Sequence, residues 1–157
     1  MDEAGKKTVL RMFTYGLYAV TVNEGDAVNG FTANWLTQVS FEPPMVAVAV
    51  ERDARSLGMI QRAGRFGVNV LASGQRELAG HLGRSSARDP AKLDSVAYRL
   101  IEDVPVLDEA LGYVVCDVRS SQSAGDHVLI VGQVVEAAAL REGDNLTLRE
   151  TGFRYAG

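Results

Sequence analysis

The feature that most constrains this chain is the order of its short apolar segments. Leu17–Val22, Val28–Trp35, Gln38–Phe41, Met45–Val50, Phe66–Leu71, Tyr98–Ile101, Tyr113–Ser120, His127–Ala137 and Leu146–Arg149 read as strands. Many are joined by short turns. Asn23-Glu24-Gly25-Asp26 makes the first pair a hairpin. Pro43 and Pro44 cannot donate to a sheet ladder, so the chain must turn before Met45. Regular strand–helix alternation is missing, and no G-x-G-x-x-G follows the first strand, which counts against a dinucleotide-binding parallel sheet. Strands that pair as hairpins must also hide their edges, and an antiparallel barrel does this. The expected fold class is mainly β with short helices.

Helices are expected over Lys6–Thr14, from a Ser56 cap to Ala63 before Gly64, and from a Ser73 cap toward Leu82. Asp89-Pro90, a cap residue followed by proline, predicts one more helix start. With 157 residues and no repeat, low-complexity tract or linker, residues 1–157 are expected to form a single domain.

Charge and composition remove several classes of function. The 16 Lys+Arg against 20 Asp+Glu give a net charge of −4 without a basic stripe, which argues against a nucleic-acid partner. Any bound phosphate must then be held locally by a few donors. The longest apolar run, Met45–Val50, is far too short to span a bilayer, so no membrane role is expected. Cys116 is the only cysteine, which excludes an intrachain disulfide. With no signal-peptide pattern at the amino end, the expected location is cytoplasmic. Two histidines and no zinc spacing leave no metal site.

Three segments could carry chemistry. Thr32, Ala33, Asn34 and Trp35, continuing to Gln38 and Ser40, place small and hydrogen-bonding groups where packing alone would prefer Val, Ile or Leu. Such a wall suits the polar edge of a flat heterocycle, but composition alone favours an edge strand with a solvated face. Arg55-Ser56 at a helix start offers amides, a hydroxyl and a guanidinium to a phosphate, or else is an exposed loop. Arg84 is a further phosphate candidate. Gly125-Asp126-His127 forms a tight turn that sets His127 at a strand mouth, as a surface hydrogen-bonder or a functional group.

In order along the chain, these segments resemble the flavin reductase-like family of FMN-binding split barrels. Gly30–Trp35 with Val39-Ser40-Phe41-Glu42-Pro43-Pro44-Met45 looks like its flavin-binding strand and Ser-x-x-Pro-Pro turn. Phe66–Leu71 is similar to its Phe-x-Val-Asn-x-Leu strand, and Gly125-Asp126-His127 with Gly132 and Val134 resembles its Gly-Asp-His-x-x-x-x-Gly-x-Val signature. The resemblance implies an antiparallel split β-barrel and a homodimer with FMN, or alternatively FAD or riboflavin, near the interface. It implies NAD(P)H as electron donor and flavin reductase activity, with a flavin-dependent oxygenase as a possible acceptor. Thr32, Ala33, Asn34, Trp35, Gln38 and Ser40 would contact the ring. Arg55, Ser56 and Arg84 would hold the phosphate, and His127 would stand where the nicotinamide meets the flavin. Asn34-Trp35 is similar to flavoredoxin-like members, which keeps open an electron carrier reduced by a partner protein. A split barrel that binds haem, or senses flavin without catalysis, is a further alternative.

Overall fold

Hairpin pairing organises most of the chain. A computed structural model describes residues 1–157. After helix α1 (Glu3–Met12) come strands β1 (Tyr18–Glu24), β2 (Ala27–Ala33), β3 (Leu36–Ser40) and β4 (Met45–Glu51). Helix α2 (Arg55–Ala63), β5 (Arg65–Val70) and helix α3 (Arg76–Leu82) follow, then a 3₁₀ turn (Lys92–Ser95). Strands β6 (Tyr98–Ile101), β7 (Val104–Leu107), β8 (Gly112–Ala124) and β9 (His127–Ala139) precede a last short helix, α4 (Leu148–Thr151).

Seven strands form one sheet in the order β2-β1-β5-β8-β9-β4-β3, and every pairing in it is antiparallel. β2 also packs against β4, although the two are far apart in that order, so the sheet rolls into a split barrel. β6 and β7 make a separate hairpin laid against β1 and β5.

The barrel interior is filled by Val20, Val22, Val48, Val50, Phe66 and Ile130. Leu57, Met59 and Ile60 of α2 close it, and full burial of each stabilises the fold by about 1.5–3 kcal/mol. A second core of Leu17, Leu71, Leu82, Leu93, Leu107 and Leu146 ties α3, the 3₁₀ turn and the carboxyl-terminal region to the sheet. Buried Asn69 is a polar tie between strands. Its Nδ2 donates to Ala19 O at 3.1 Å and its Oδ1 accepts from Leu107 N at 2.8 Å, joining β5 to β1 and β7.

The strand pattern of the sequence is largely realised, but its capping signals are not. Ser56 lies inside α2, whose first turn begins after Ala54 with no side-chain cap, because the Ser56 hydroxyl is taken by Asn29. Ser73 does not cap α3 either; its hydroxyl donates to Glu150 at 2.6 Å. Asp89-Pro90 leads only to the 3₁₀ turn, where Leu93 anchors the chain in the second core. Leu146–Arg149 is no strand: Thr147 caps α4 by accepting from Glu150 N at 3.2 Å, after Leu146 inserts into the core. The first helix spans Glu3–Met12, because both Asp2 carboxylate oxygens accept from its opening amides. The structure adds one strand outside the expected set, β7, which pairs Val104–Leu107 with Tyr98–Ile101.

Gly132 on β9 shows how tight the barrel is. A Cβ there would come within 2.7 Å of Phe66 Cε1 and 2.8 Å of Cys116 Cβ. Gly132→Ala is expected to destabilise the fold by about 1–3 kcal/mol through overpacking, read as a lowered urea midpoint. Burial pushes the Cys116 thiol up to about 12, so it should resist alkylation at pH 8 until the protein unfolds.

Candidate functional site

The start of α2 and the chain following α3 are held together by one buried amide. Asn29 on β2 donates through Nδ2 to Ser56 Oγ at 2.9 Å and to Ser86 Oγ at 3.0 Å, and all three residues are buried. The two segments form one end of a cavity of about 710 Å³, within the range of small-molecule sites.

That end is rich in donors. Arg55, Ser56, Arg84, Ser85, Ser86 and Lys92 line it, and the uncapped first-turn amides of α2 lie there too. Lys92 is 2% exposed, and its Nζ donates to Leu82 O at 2.8 Å and Arg84 O at 2.7 Å. The loss of hydration pulls this ammonium down to about 8, against a smaller opposing pull from Asp89.

Along the cavity the lining changes to Phe31, Thr32, Ala33, Asn34 and Trp35 on one side and Ala79, Gly80 and Gly83 on another. Thr32 donates its hydroxyl to Ala79 O at 2.6 Å, pinning α3 to β2. The carboxyl-terminal segment supplies a third wall of Phe153, Arg154 and Tyr155. It is held by Arg76, which donates to Thr151 O at 2.7 Å and stacks its guanidinium over Phe153, and by Asn34, which donates to Tyr155 O at 3.0 Å.

At the far end stands a polar chain. Glu51 and His127 are opposite each other in the β4–β9 register. The Tyr155 hydroxyl donates to Glu51 at 2.5 Å and lies 3.1 Å from His127 Nε2. His127 Nδ1 is 2.6 Å from the Asp126 carboxylate, whose acidity that contact strengthens. The Trp35 ring lies 4.7 Å from the imidazole and 5.4 Å from the Tyr155 ring, so the three side chains form one aromatic corner. Burial first, and Glu51 second, raise the Tyr155 phenol above its ordinary range, so it stays a protonated donor.

The fold therefore gathers Thr32, Ala33, Asn34, Trp35, Arg55, Ser56 and Arg84 around one cavity. His127 stands behind its rim, joined to the lining through Trp35 and Tyr155. Gln38 and Ser40 are not brought there. β3 is the outer strand of the sheet, and Gln38 Nε2 donates to Ser40 O at 3.1 Å outside the cavity. Sequence reasoning missed Glu51, Lys92 and Tyr155. None lies in a recognisable motif, and a lone lysine after a proline carries no local sign of burial. A second hollow of about 540 Å³ lies across the tail, with Arg11, Arg149 and Arg154 beside Phe13 and Tyr15 in its lining.

Residues 10–157 match the family described as flavin reductase like domain. A flavin reductase of Pseudomonas putida is 33% identical over 155 residues, covering 98% of this chain and 89% of that protein. An NADH-dependent flavin reductase of Rhodococcus is 36% identical over 131 residues, or 82% of this chain and 72% of the relative. Among solved structures, BorF, the flavin reductase component of a bacterial two-component tryptophan halogenase, superposes with a TM-score of 0.84 at 31% identity, over 98% of this chain and 97% of BorF.

The amide of Asn29 gives a direct test of the geometry. Asn29→Ala leaves two buried hydroxyls without their shared donor and is expected to cost about 1–3 kcal/mol of stability. Calorimetric unfolding should show a lowered midpoint, and the same variant should lose affinity for any ligand of the donor-rich end.

Proposed function

The chain belongs to the flavin reductase-like domain family, and from that premise we infer that it is a flavin reductase that takes electrons from a reduced nicotinamide. The observation that carries this reading is the polarity gradient of one cavity. Cationic and hydroxyl donors occupy one end, small and aromatic side chains the middle, and Trp35 and Tyr155, backed by His127, the other end.

These residues fit a flavin phosphate. Arg55, Ser56, Arg84 and the α2 amides are the donor set that a phosphate monoester requires. The stretch Thr32–Trp35 offers close backbone approach beside Ala33, and Trp35 Nε1 is buried with no partner in the protein. FMN is the flavin we assign, because one anion seat closes one end of the cavity; FAD is the alternative. Bound flavin supplies the acceptor for a hydride, which needs no protein nucleophile or triad. The protein's part is to bind, orient and exclude water. Asp126 and Tyr155 fix the ring plane of His127, and Trp35 packs against its face. His127 acts by positioning the nicotinamide and by its electrostatic influence on the corner.

We read the chain as one domain that works as a homodimer in the cytoplasm, with NADH or NADPH as donor and a flavin-dependent oxygenase as acceptor. The edge strand β3 with Phe41, 89% exposed beyond it, supports the dimer. Gln38 and Ser40 would then face the neighbouring subunit. No helix is long and apolar enough to cross a membrane.

Mixing the protein anaerobically with FMN and NADH or NADPH is expected to bleach the flavin's visible absorbance. Bound FMN that neither nucleotide reduces would remove the reductase and leave an electron carrier fed by another protein. Arg55→Ala should weaken FMN about tenfold more than riboflavin, a difference of about 1.4 kcal/mol. His127→Ala should slow reduction more than it weakens FMN binding, as stopped-flow and equilibrium titration would separate.

A further inference from the structure

The least explained residue of the cavity is its buried lysine. Lysine is rarely enclosed without an anionic partner, yet Lys92 is 2% exposed and none of the ion pairs of the fold includes it. Its Nζ has three N–H donors. Two go to the carbonyls of Leu82 and Arg84, at 2.8 and 2.7 Å. Carbonyl dipoles satisfy hydrogen bonds but do not neutralise a charge. The third donor and the charge remain, on a residue that lines the cavity beside Arg84 and Ser86.

We propose that Lys92 is the buried counter-charge for the phosphate of the flavin, and that a phosphorylated flavin binds with full affinity only while this ammonium is charged. The proposal rests on the flavin reading and adds a residue and a linkage to it. Arg55 and Arg84 are exposed to solvent. Lys92 alone combines enclosure with the capacity to lose its proton.

The surrounding charges leave that capacity intact. β2, packed against the turn, carries no titratable side chain. α3 contributes Arg76, Glu77 and His81, of which the His81 ring nitrogen engages Lys92 O at 2.6 Å. Asp94 lies on the same turn. Asp89 favours the charged form but lies 3.7 Å from the Arg84 guanidinium, which shares its charge. Burial outweighs Asp89, and the empty site loses the Lys92 proton as pH rises through about 8. A phosphate dianion reverses that preference, since an opposite charge nearby favours the ammonium. Binding above that pH must therefore take up a proton, whereas binding well below it must not. Phosphate monoesters have lost their second proton by about pH 7, so the ligand's own charge is constant across this window.

Titration calorimetry of the intact protein with FMN and with riboflavin, at pH 7 and pH 9 in buffers of different ionisation heat, tests this. The expected result is FMN affinity about tenfold lower at pH 9 than at pH 7, with uptake of nearly one proton at pH 9. Riboflavin should show neither effect, and because it shares the ring, its behaviour removes any contribution from ring titration. Lys92→Gln, which retains an amide donor near the carbonyls, should weaken FMN at least tenfold at pH 7, leave riboflavin within about twofold, and abolish the proton uptake. FMN binding with no proton uptake at pH 9, or uptake that persists in Lys92→Gln, would overturn the assignment of Lys92 while sparing the flavin site. Binding of neither flavin would overturn the flavin reading itself. Should Lys92→Gln not fold, the calorimetry of the unsubstituted protein still decides.

Discussion

The double pairing of β9 is the constraint on which the rest of the structure depends. Both neighbours, β8 and β4, run antiparallel to it over most of its length. This places β4 beside the second half of the chain although some eighty residues separate them. One register then sets Glu51 opposite His127, and Gly132 lets the Phe66 ring lie against the strand. A slip of one residue would turn His127 to the other face of the sheet. The aromatic corner with Trp35 and Tyr155 would be lost with it.

In a chain with net charge −4, an anion site requires a local concentration of donors rather than a global field. The fold supplies it with modest means. A buried amide ties two hydroxyl-bearing segments, a helix starts with no side-chain cap, and a lysine is enclosed with its ammonium bonded to two carbonyls. The amide tie stabilises the fold, whereas the uncapped helix start and the enclosed lysine are locally unfavourable. Together they make one end of the cavity rich in donors, which is how it differs from a well-packed core.

The strands were legible because alternation and turn chemistry act over a few residues. Met45–Val50 could be little else, and Gly25-Asp26 closes the first hairpin as expected. The helix caps were misread for a shared reason. Ser56 and Ser73 have the right chemistry for a cap, but Asn29 and Glu150 compete for them from distant parts of the chain. The site was half legible. Thr32, Asn34 and Arg55 stand out as polar groups where a core would want apolar ones, whereas Tyr155 and Lys92 sit in stretches with no pattern. Gln38 and Ser40 look identical in kind to Thr32 and Asn34, and only their place on an outer strand separates them.

By itself the sequence determined the periodicity of the strands, the turns between them and the scarcity of cationic charge, since these are set by neighbours along the chain. The tertiary structure alone decided which hydroxyls became caps and which lined a cavity, whether His127 would have partners, and that Lys92 would be enclosed. Burial and long-range hydrogen bonding depend on what the fold brings near, and β9 brings together residues that share no local signal.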